Sequence, residues 1–489
     1  MTKEYDAGRR QLLAGLAAGI GAMTLPGCKS GGDSGLASAA SASSSRALPD
    51  PRDSGIDHIV LLMMENRSFD HFLGWVPGAD GVQAGLSFPD RAGVMQNTYP
   101  MLDGHASPWQ GCGSSDPNHG YEGGRIHLQG GWLHTDPTLL GDTLPLGYYR
   151  REDLPFYSGV ADDWTICDNY FSGIMAGTWP NRFYMHAGDN DFLDGDGIEK
   201  ESQLPSLWDA LATAGVEGRY YYGNLPFVGL WSKTKYLSIS RPLETFFVDC
   251  ALGNLPAISY VDPIFESGAP NALSNDDHPH SDVRAGQVLL NRVYDALRTG
   301  PQWGKTLLII NYDEWGGFFD HVAPPIVPPS TRDLEVTGND GRLGFRVPCA
   351  LIGPRARRGH VCHDLLHPNA ILNFFSWRFD LPPIGSRAAH SGNLAHALDW
   401  DHPPNLASRG YSVQNGTYGL DCQRYSNWPQ INLPGPLDPG VVLPLPTLSL
   451  PSFAPTVKSA DELHVRQLRG LYEKAGEHGF WTGPVAFPS

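Results

Sequence analysis

The chain has 489 residues, 41% of them hydrophobic, with 57 glycines and 41 prolines. That length allows one large domain or two ordinary ones, with a sizeable core and many loops. A net charge of −17 argues against a nucleic-acid partner, because neutralising phosphates needs a basic face; otherwise it reports solubility rather than fold.

Residues 1–28 read as an export signal. Arg9 and Arg10 precede a dozen apolar, Ala- and Gly-rich residues that end at Leu25, Pro26, Gly27 and Cys28. The run is too short and too rich in small residues to span a bilayer, so it reads as a leader. The paired arginines are of the twin-arginine type, which serves proteins exported already folded. The expected destination is the periplasm, the cell envelope or the medium. Leu25 to Cys28 also has the form of a lipoprotein processing site, with Cys28 as an acylated first residue; the alternative is ordinary cleavage nearby, with Cys28 discarded. Residues 29–54 are mostly Ser, Ala and Gly and read as a flexible tether.

The globular region is expected over residues 55–425 as one domain with long loop insertions. Short apolar runs alternate with helical patterns: "HIVLLMM", "SLWDALATAG", "GRYYYG", "AISYVD", "DVRAGQVLLNRVYDALRTG", "KTLLIINYD", "VPCALIG" and "AILNFFSWRFDL". Runs such as "TLLIIN" lack period-two alternation and suit strands buried on both faces of a parallel sheet. The pattern is that of an α/β fold with a mainly parallel sheet flanked by helices. Residues 426–489 form a short appendage, Pro-rich at first and then helical, with Ser459 and Glu462 spaced as a capping box.

Six cysteines follow Cys28: Cys112, Cys167, Cys250, Cys349, Cys362 and Cys422. No C-x-x-C pair occurs, which argues against a thiolate metal site. An oxidising compartment permits disulfides; Cys349 and Cys362 flank a short Gly/Arg-rich loop and are the expected bridge, whereas Cys167 reads as a buried apolar thiol.

Two of the apolar runs end in polar clusters. "HIVLLMM" leads into Glu65, Asn66 and Arg67, and "KTLLIINY" leads into Asp313 and Glu314, followed by two glycines. In open α/β sheets ligands collect beyond the carboxyl ends of strands, so these ends would bring three carboxylates and an amide to one point. Such a group needs a cation, since like charges raise each other's pKa, and oxygen donors suit a hard or borderline divalent ion. The alternative for each pair alone is a strand-end carboxylate facing water, or a helix cap. Thr178, in "SGIMAGTWPNRFYMHAG", precedes a helix opened by Pro180. A hydroxyl at a helix N-terminus is placed to attack phosphorus if a metal lowers its pKa, although Thr is also a common N-cap. His119, Asp276, Asp277, His278, His280 and His321 lie in Gly- or Pro-punctuated loops. There an imidazole either assists phosphoryl chemistry or is simply solvated.

Taken together, "HIVLLMMENRSFDHFLG", "YYRREDLPFYSGVADDWTICDNYFSGIMAGTWPNRFYMH", "DDHP", "TLLIINYDEWGGFFDHV", "LGFRVPCALIGPRARRGHV" and "RFDLPPIGSR" resemble the bacterial phosphoesterase family of phospholipases C and related acid phosphatases, from about residue 56 to residue 400. The resemblance implies an alkaline-phosphatase-like core. It also implies one divalent metal ion held by Glu65, Asn66, Asp313 and Glu314, with Thr178 as a further ligand and as nucleophile. His119 and His278 would contact the phosphoryl group, and Asn181, Asp277 and His321 are carried as substrate-binding residues. Three positions depart from the family pattern: Trp315 after Asp313-Glu314, His367-Pro368 where Asp-His-Thr-Ser is usual, and His280 where a second proline is frequent.

The resulting expectation is an exported, metal-dependent phospholipase C that cleaves phospholipids to diacylglycerol and a phosphorylated headgroup, in contact with a membrane surface. An acid phosphatase for small monoesters uses the same nucleophile and ion and is the alternative. A non-catalytic, tethered binding protein is the rival from another class, and a binding module has no need of a nucleophile. Trp109, Trp132, Trp164, Trp179 and Trp315 lie near the motifs and either contact a choline headgroup through cation–π attraction or belong to the core.

Overall fold

The computed structural model describes residues 47–422, except 135–140, 192, 194, 197–200, 233, 267–273, 337–338, 417 and 420–421. All of these belong to the unit Ser43–Ser489. The export signal, most of the tether, and the Pro-rich segment with its capping box fall outside the described residues. The last tether residues are already ordered into the body: Pro51–Asp53 form a turn of 3-10 helix, and the Ser54 carbonyl accepts from Arg355 Nε at 2.9 Å.

Eight strands build the main sheet: β1 His58–Met64, β2 Thr165–Cys167, β3 Gly218–Tyr222, β4 Ser240–Pro242, β5 Ile258–Val261, β6 Thr306–Tyr312, β7 Cys349–Ile352 and β8 His360–Cys362. Their order is β8-β2-β7-β6-β1-β5-β3-β4. All neighbours run parallel except at β7, which is antiparallel to both β6 and β2. The two runs without alternation, β1 and β6, lie side by side at the centre. Every residue of β6 and all of β1 after His58 are buried, as expected of strands covered on both faces. The register pairs Met64 with Tyr312, so the two strands end level and their polar successors leave the sheet together.

The principal helices are α1 Phe69–Leu73, α2 Pro155–Asp163, α3 Thr178–Ala187, α4 Leu207–Ala214, α5 Leu243–Leu252, α6 Val283–Thr299 and α7 Pro368–Phe379. Helix α6 shows how the pattern produces the layer. Its buried residues Val283, Gly286, Leu290, Val293 and Leu297 recur at helical spacing, and Asp282 caps its start by accepting from Arg284 N at 3.0 Å. Each buried aliphatic side chain on that stripe contributes roughly 1.5–3 kcal/mol. Helices α2 and α5 pack on α6, while α4 and α7 pack on α3. No helix among the described residues is long and apolar enough to cross a membrane.

The disulfide differs from the expectation. Cys112 is bonded to Cys422 across 310 residues of sequence, while Cys349 and Cys362 are free and buried. Topology explains the correction. Cys349 starts β7 and Cys362 ends β8, but β2 runs between those strands, with Cys167 in register opposite Cys362. Two strand spacings are about 9–10 Å, beyond the roughly 7 Å Cα separation a disulfide tolerates. Cys167 is the buried thiol expected. On chain entropy alone, a loop as long as the one Cys112–Cys422 closes stabilises by about 5–6 kcal/mol.

Candidate functional site

The site is assembled where β1 and β6 end. Asp313 N donates to the Met64 carbonyl at 3.1 Å, and Arg67 N donates to the Glu314 carbonyl at 3.1 Å. Asn66 N in turn donates to Asp313 Oδ1 at 3.2 Å. These bonds lock Glu65-Asn66 against Asp313-Glu314. Gly316 and Gly317 make the close approach possible: both have positive φ. A side chain at Gly316 would meet the Asn66 carbonyl oxygen at 2.0 Å, and one at Gly317 would meet Pro117 Cβ at 2.7 Å. Only glycine fits such a passage.

Thr178 arrives from α3. The helix starts at Thr178 itself, with Gly177 as N-cap and no side-chain cap bond, so Thr178 is not the capping residue and its hydroxyl is left for other work. Thr178 Oγ1 lies 3.5 Å from Asn66 Oδ1. The loop before it is pinned by Asn181: Oδ1 accepts from Ile174 N at 3.0 Å, and Nδ2 donates to the Ala176 and Gly177 carbonyls at 2.8 and 3.0 Å. Asn181 therefore shapes the loop before Thr178, with both ends of its amide already engaged. One turn further along α3, the buried Arg182 donates from Nε to Glu65 Oε1 at 3.1 Å and from Nη1 to Asp262 Oδ1 at 2.7 Å; Nε also lies 3.3 Å from Asp313 Oδ2. Helical spacing of four residues puts Thr178 and Arg182 on one face, which was the available signal for Arg182. Asp196 is a second addition, its Oδ1 accepting from Trp179 N at 2.7 Å, at the end of the helix dipole that favours negative charge.

The electrostatics are compatible with a bound cation. Burial pushes the Glu65 and Glu314 carboxyls well above their ordinary values, and the neighbouring Asp313 charge pushes them further. Asp313 is raised by burial too, with Arg182 pulling the other way. Burial disfavours the Arg182 charge, but Asp262, Glu65 and Asp313 outweigh it. One guanidinium does not balance the three strand-end carboxylates. In addition, Glu314 Oε1 is buried without a hydrogen-bond partner, which is costly unless something else binds it. Oxygen donors from Glu65, Asn66, Asp313 and Glu314 fit a divalent cation.

Two histidines face the same point. His119 keeps its Nδ1 2.7 Å from the Pro117 carbonyl, and its Nε2 lies 3.3 Å from Asn66 Nδ2 and 4.0 Å from Glu314 Oε1. His278 is delivered by its own segment: Glu65 N donates to the Asp276 carbonyl at 2.8 Å, and Arg67 Nε donates to the Asp277 carbonyl at 2.6 Å. The two imidazoles meet edge to face with centroids 5.6 Å apart. Burial, followed by His119, holds the His278 imidazole well below its ordinary value.

Other residues expected at the site are engaged elsewhere. The Asp277 carboxylate is fully buried, accepts from Tyr312 Oη at 2.6 Å and is pushed up to about 7 by burial; it supports the strand end from beneath. His321 joins a separate network, with Nδ1 2.6 Å from Asp70 Oδ2 and Nε2 3.2 Å from Asp80 Oδ1. Arg346 donates to Asp320 Oδ1 at 3.0 Å and to Asp70 Oδ1 at 3.1 Å in the same cluster, which fixes α1 to the loop after β6. The hydrogen bond to Asp70 raises the His321 pKa. Its contribution to stability is therefore complete below the unfolded-state pKa and is lost as pH rises through the folded value. His321→Gln is expected to lower Tm more at pH 5.5 than at pH 9, and an equal loss at both would exclude the charged pair. Trp315 is core, fully buried with Nε1 donating to His127 Nδ1 at 3.2 Å. Trp132 and Trp164 are buried as well. Trp179, next to Thr178, keeps partial exposure. His367 is the N-cap residue of α7, bonded through Nε2 to Ser391 Oγ at 3.1 Å.

The chain is similar to several known proteins. Phospholipase C B of Mycobacterium tuberculosis is 32% identical over 428 aligned positions, covering 72% of this chain and 79% of that protein. A non-specific phospholipase C of Arabidopsis thaliana is 33% identical over 357 positions, covering 63% of each. The crystal structure of a protein in the alkaline phosphatase superfamily from Vibrio parahaemolyticus aligns over 89% of this chain and 91% of that one, with 10% identity and a TM-score of 0.33. The Phosphoesterase family pattern matches residues 56–382, a span that contains both strand ends, Thr178 and the two facing histidines; the chain belongs to the Phosphoesterase family and is a phosphoric ester hydrolase.

Proposed function

We propose that the protein is an exported, divalent-cation-dependent phospholipase C with Thr178 as its nucleophile. The observation that carries this reading is the convergence of Glu65-Asn66 and Asp313-Glu314 at two level strand ends, with the Thr178 hydroxyl 3.5 Å from Asn66 Oδ1. The names of the relatives point to phospholipid substrates, and the Cys112–Cys422 bridge supports an oxidising compartment. Export through the twin-arginine route, and an anchor at Cys28, remain part of the proposal.

A divalent cation bound here supplies an acidified threonyl hydroxyl and positive charge beside the phosphoryl oxygens. The chain does the rest. Helix α3 fixes Thr178 at its N-terminus, where the dipole favours an anion, and Arg182 holds Glu65 and Asp313 in place. Thr178 Oγ1 attacks phosphorus, the bond to the diglyceride oxygen breaks, and that oxygen gains the proton that Thr178 gives up. His119 and His278 face the phosphoryl group throughout. Water then cleaves the phosphothreonyl diester and releases the phosphorylated headgroup.

The test is product analysis on phosphatidylcholine and on p-nitrophenyl phosphate, with and without chelator. Chelator-sensitive release of phosphocholine and diacylglycerol is the expected result. Turnover of the monoester alone would make the protein an acid phosphatase, and no turnover with any divalent cation would leave only a binding protein.

A further inference from the structure

Cys167, Cys349 and Cys362 stand in one row across three strands, with β2 between β8 and β7. On one side, the parallel register sets Cys362 directly opposite Cys167. On the other, the antiparallel register pairs Ala350 with Ile166, so one step further Cys349 faces Cys167. Residues directly opposite on neighbouring strands project from the same face of a sheet, which puts the three thiols side by side. All three are buried and unbridged. One buried thiol is an ordinary small core side chain. Three in register across adjacent strands supply bridging partners that packing alone does not need.

Strand spacing decides which pairs can join. Neighbouring strands lie about 4.7–4.9 Å apart, inside the roughly 4.4–6.8 Å Cα separation of disulfides. Cys167 is therefore within bridging distance of either neighbour, while Cys349 and Cys362, two strands apart, are linked only through it. The thiols also sense one another. Cys349 holds the Cys167 thiol well above its ordinary value, with Cys362 pulling the other way and burial adding to the rise. Cys167, followed by burial, pushes the Cys362 thiol up as well. Neutral thiols are unreactive until deprotonated, so the row stays reduced in a chain that carries the Cys112–Cys422 bridge elsewhere. β8 is the edge strand of the sheet, and Cys362 is 4% exposed where Cys167 and Cys349 are 0%. An incoming reagent meets Cys362 first.

We infer that Cys167 is the pivot of a second, reversible disulfide site, closing onto Cys362 at the sheet edge, with Cys349 as its alternative partner. This chemistry is independent of the phosphoesterase site. The co-reactant is a small disulfide such as oxidised glutathione. The Cys362 thiolate attacks one sulfur of that disulfide, and the other sulfur leaves as a thiol. The Cys167 thiolate then attacks the Cys362 sulfur of the mixed disulfide, and the second small thiol leaves. The two protein thiols give up two protons and two electrons, and the oxidant takes them up as two thiols. The bridge ties the edge strand to β2 at the point where Asp168 N donates to the Cys362 carbonyl at 3.1 Å, so it holds β8 against fraying.

The test is incubation of the folded full chain with oxidised glutathione in mildly alkaline buffer, then alkylation under denaturing conditions and non-reducing peptide mapping by mass spectrometry. Wild type is expected to yield a Cys167–Cys362 cross-linked peptide, with Cys349 alkylated. Cys250, buried on α5, is the internal reference and alkylates as well. Excess reduced glutathione is expected to return Cys167 and Cys362 to the alkylated pool. In Cys362→Ala the cross-link is expected to move to Cys167–Cys349, and in Cys167→Ala no cross-link forms between the remaining two, with melting temperature monitored to exclude misfolding. The wild-type map needs no variant. Full alkylation of all three thiols after oxidation, a reaction that stops at a glutathione adduct on Cys362, or a Cys349–Cys362 cross-link would overturn the inference.

Discussion

Thr178→Ala is expected to abolish turnover of phosphatidylcholine, by about 10^4-fold or more in kcat, the scale on which loss of a nucleophile is felt. The loss is chemical and not structural. The Thr178 hydroxyl makes one long contact, 3.5 Å to Asn66 Oδ1, and Gly177, not Thr178, occupies the N-cap. Removing the hydroxyl therefore strands no buried donor and costs no cap, so the melting temperature should barely change. Alanine also keeps the helix start, since Ala is the best helix former. Steady-state kinetics beside a thermal melt make the distinction: a folded variant within tenfold of wild type would remove Thr178 from the chemistry.

The largest effect on stability is expected at Arg182. Its guanidinium is completely buried and touches Glu65, Asp262 and Asp313 at 3.1, 2.7 and 3.3 Å. Arg182→Met keeps the aliphatic stem but leaves those carboxylates without their fixed counter-charge. Breaking a buried pair from one side costs about 3–5 kcal/mol, read as a lower denaturant midpoint. The cost should shrink when a divalent cation is saturating, because the ion offsets Glu65 and Asp313. The Asp262 part should persist, since Asp262 faces Arg182 and Tyr220. A loss below about 1 kcal/mol without cation would mean that these carboxyls are protonated in the folded state, an outcome consistent with their raised pKa values but contrary to a pre-charged cation site.

The parts of this molecule that can be read from sequence are those where one run of residues carries its own reason. β1 and β6 are uninterrupted apolar runs, and their polar successors lie where an α/β sheet collects ligands. Helices α4 and α6 carry their caps and stripes in plain view. By contrast, β2, β4 and β8 are three residues each, too short for any period to show, and are defined only by the strands they pair with. The disulfide is hidden for the same reason: spacing along the chain says nothing of β2 intervening between Cys349 and Cys362. Within the site, charge type was legible but assignment was not. Asn181, Asp277 and His321 are polar residues in the right motifs, yet the fold uses them to hold a loop, a strand end, and the contact of α1 with the loop after β6. Arg182 and Asp196 reach the site from positions whose local sequence is ordinary, because only packing brings them to Glu65 and to the start of α3.

The central claim is that Thr178 attacks phosphorus beside a cation at the ends of β1 and β6. The most direct measurement is acid-quenched turnover of phosphatidylcholine followed by peptide mass spectrometry. The account predicts a phosphocholine adduct on Thr178 that builds up before steady state and is absent in chelator-treated protein. Transfer of that group to any other residue, or rapid turnover with Thr178 unmodified at every quench time, would contradict it.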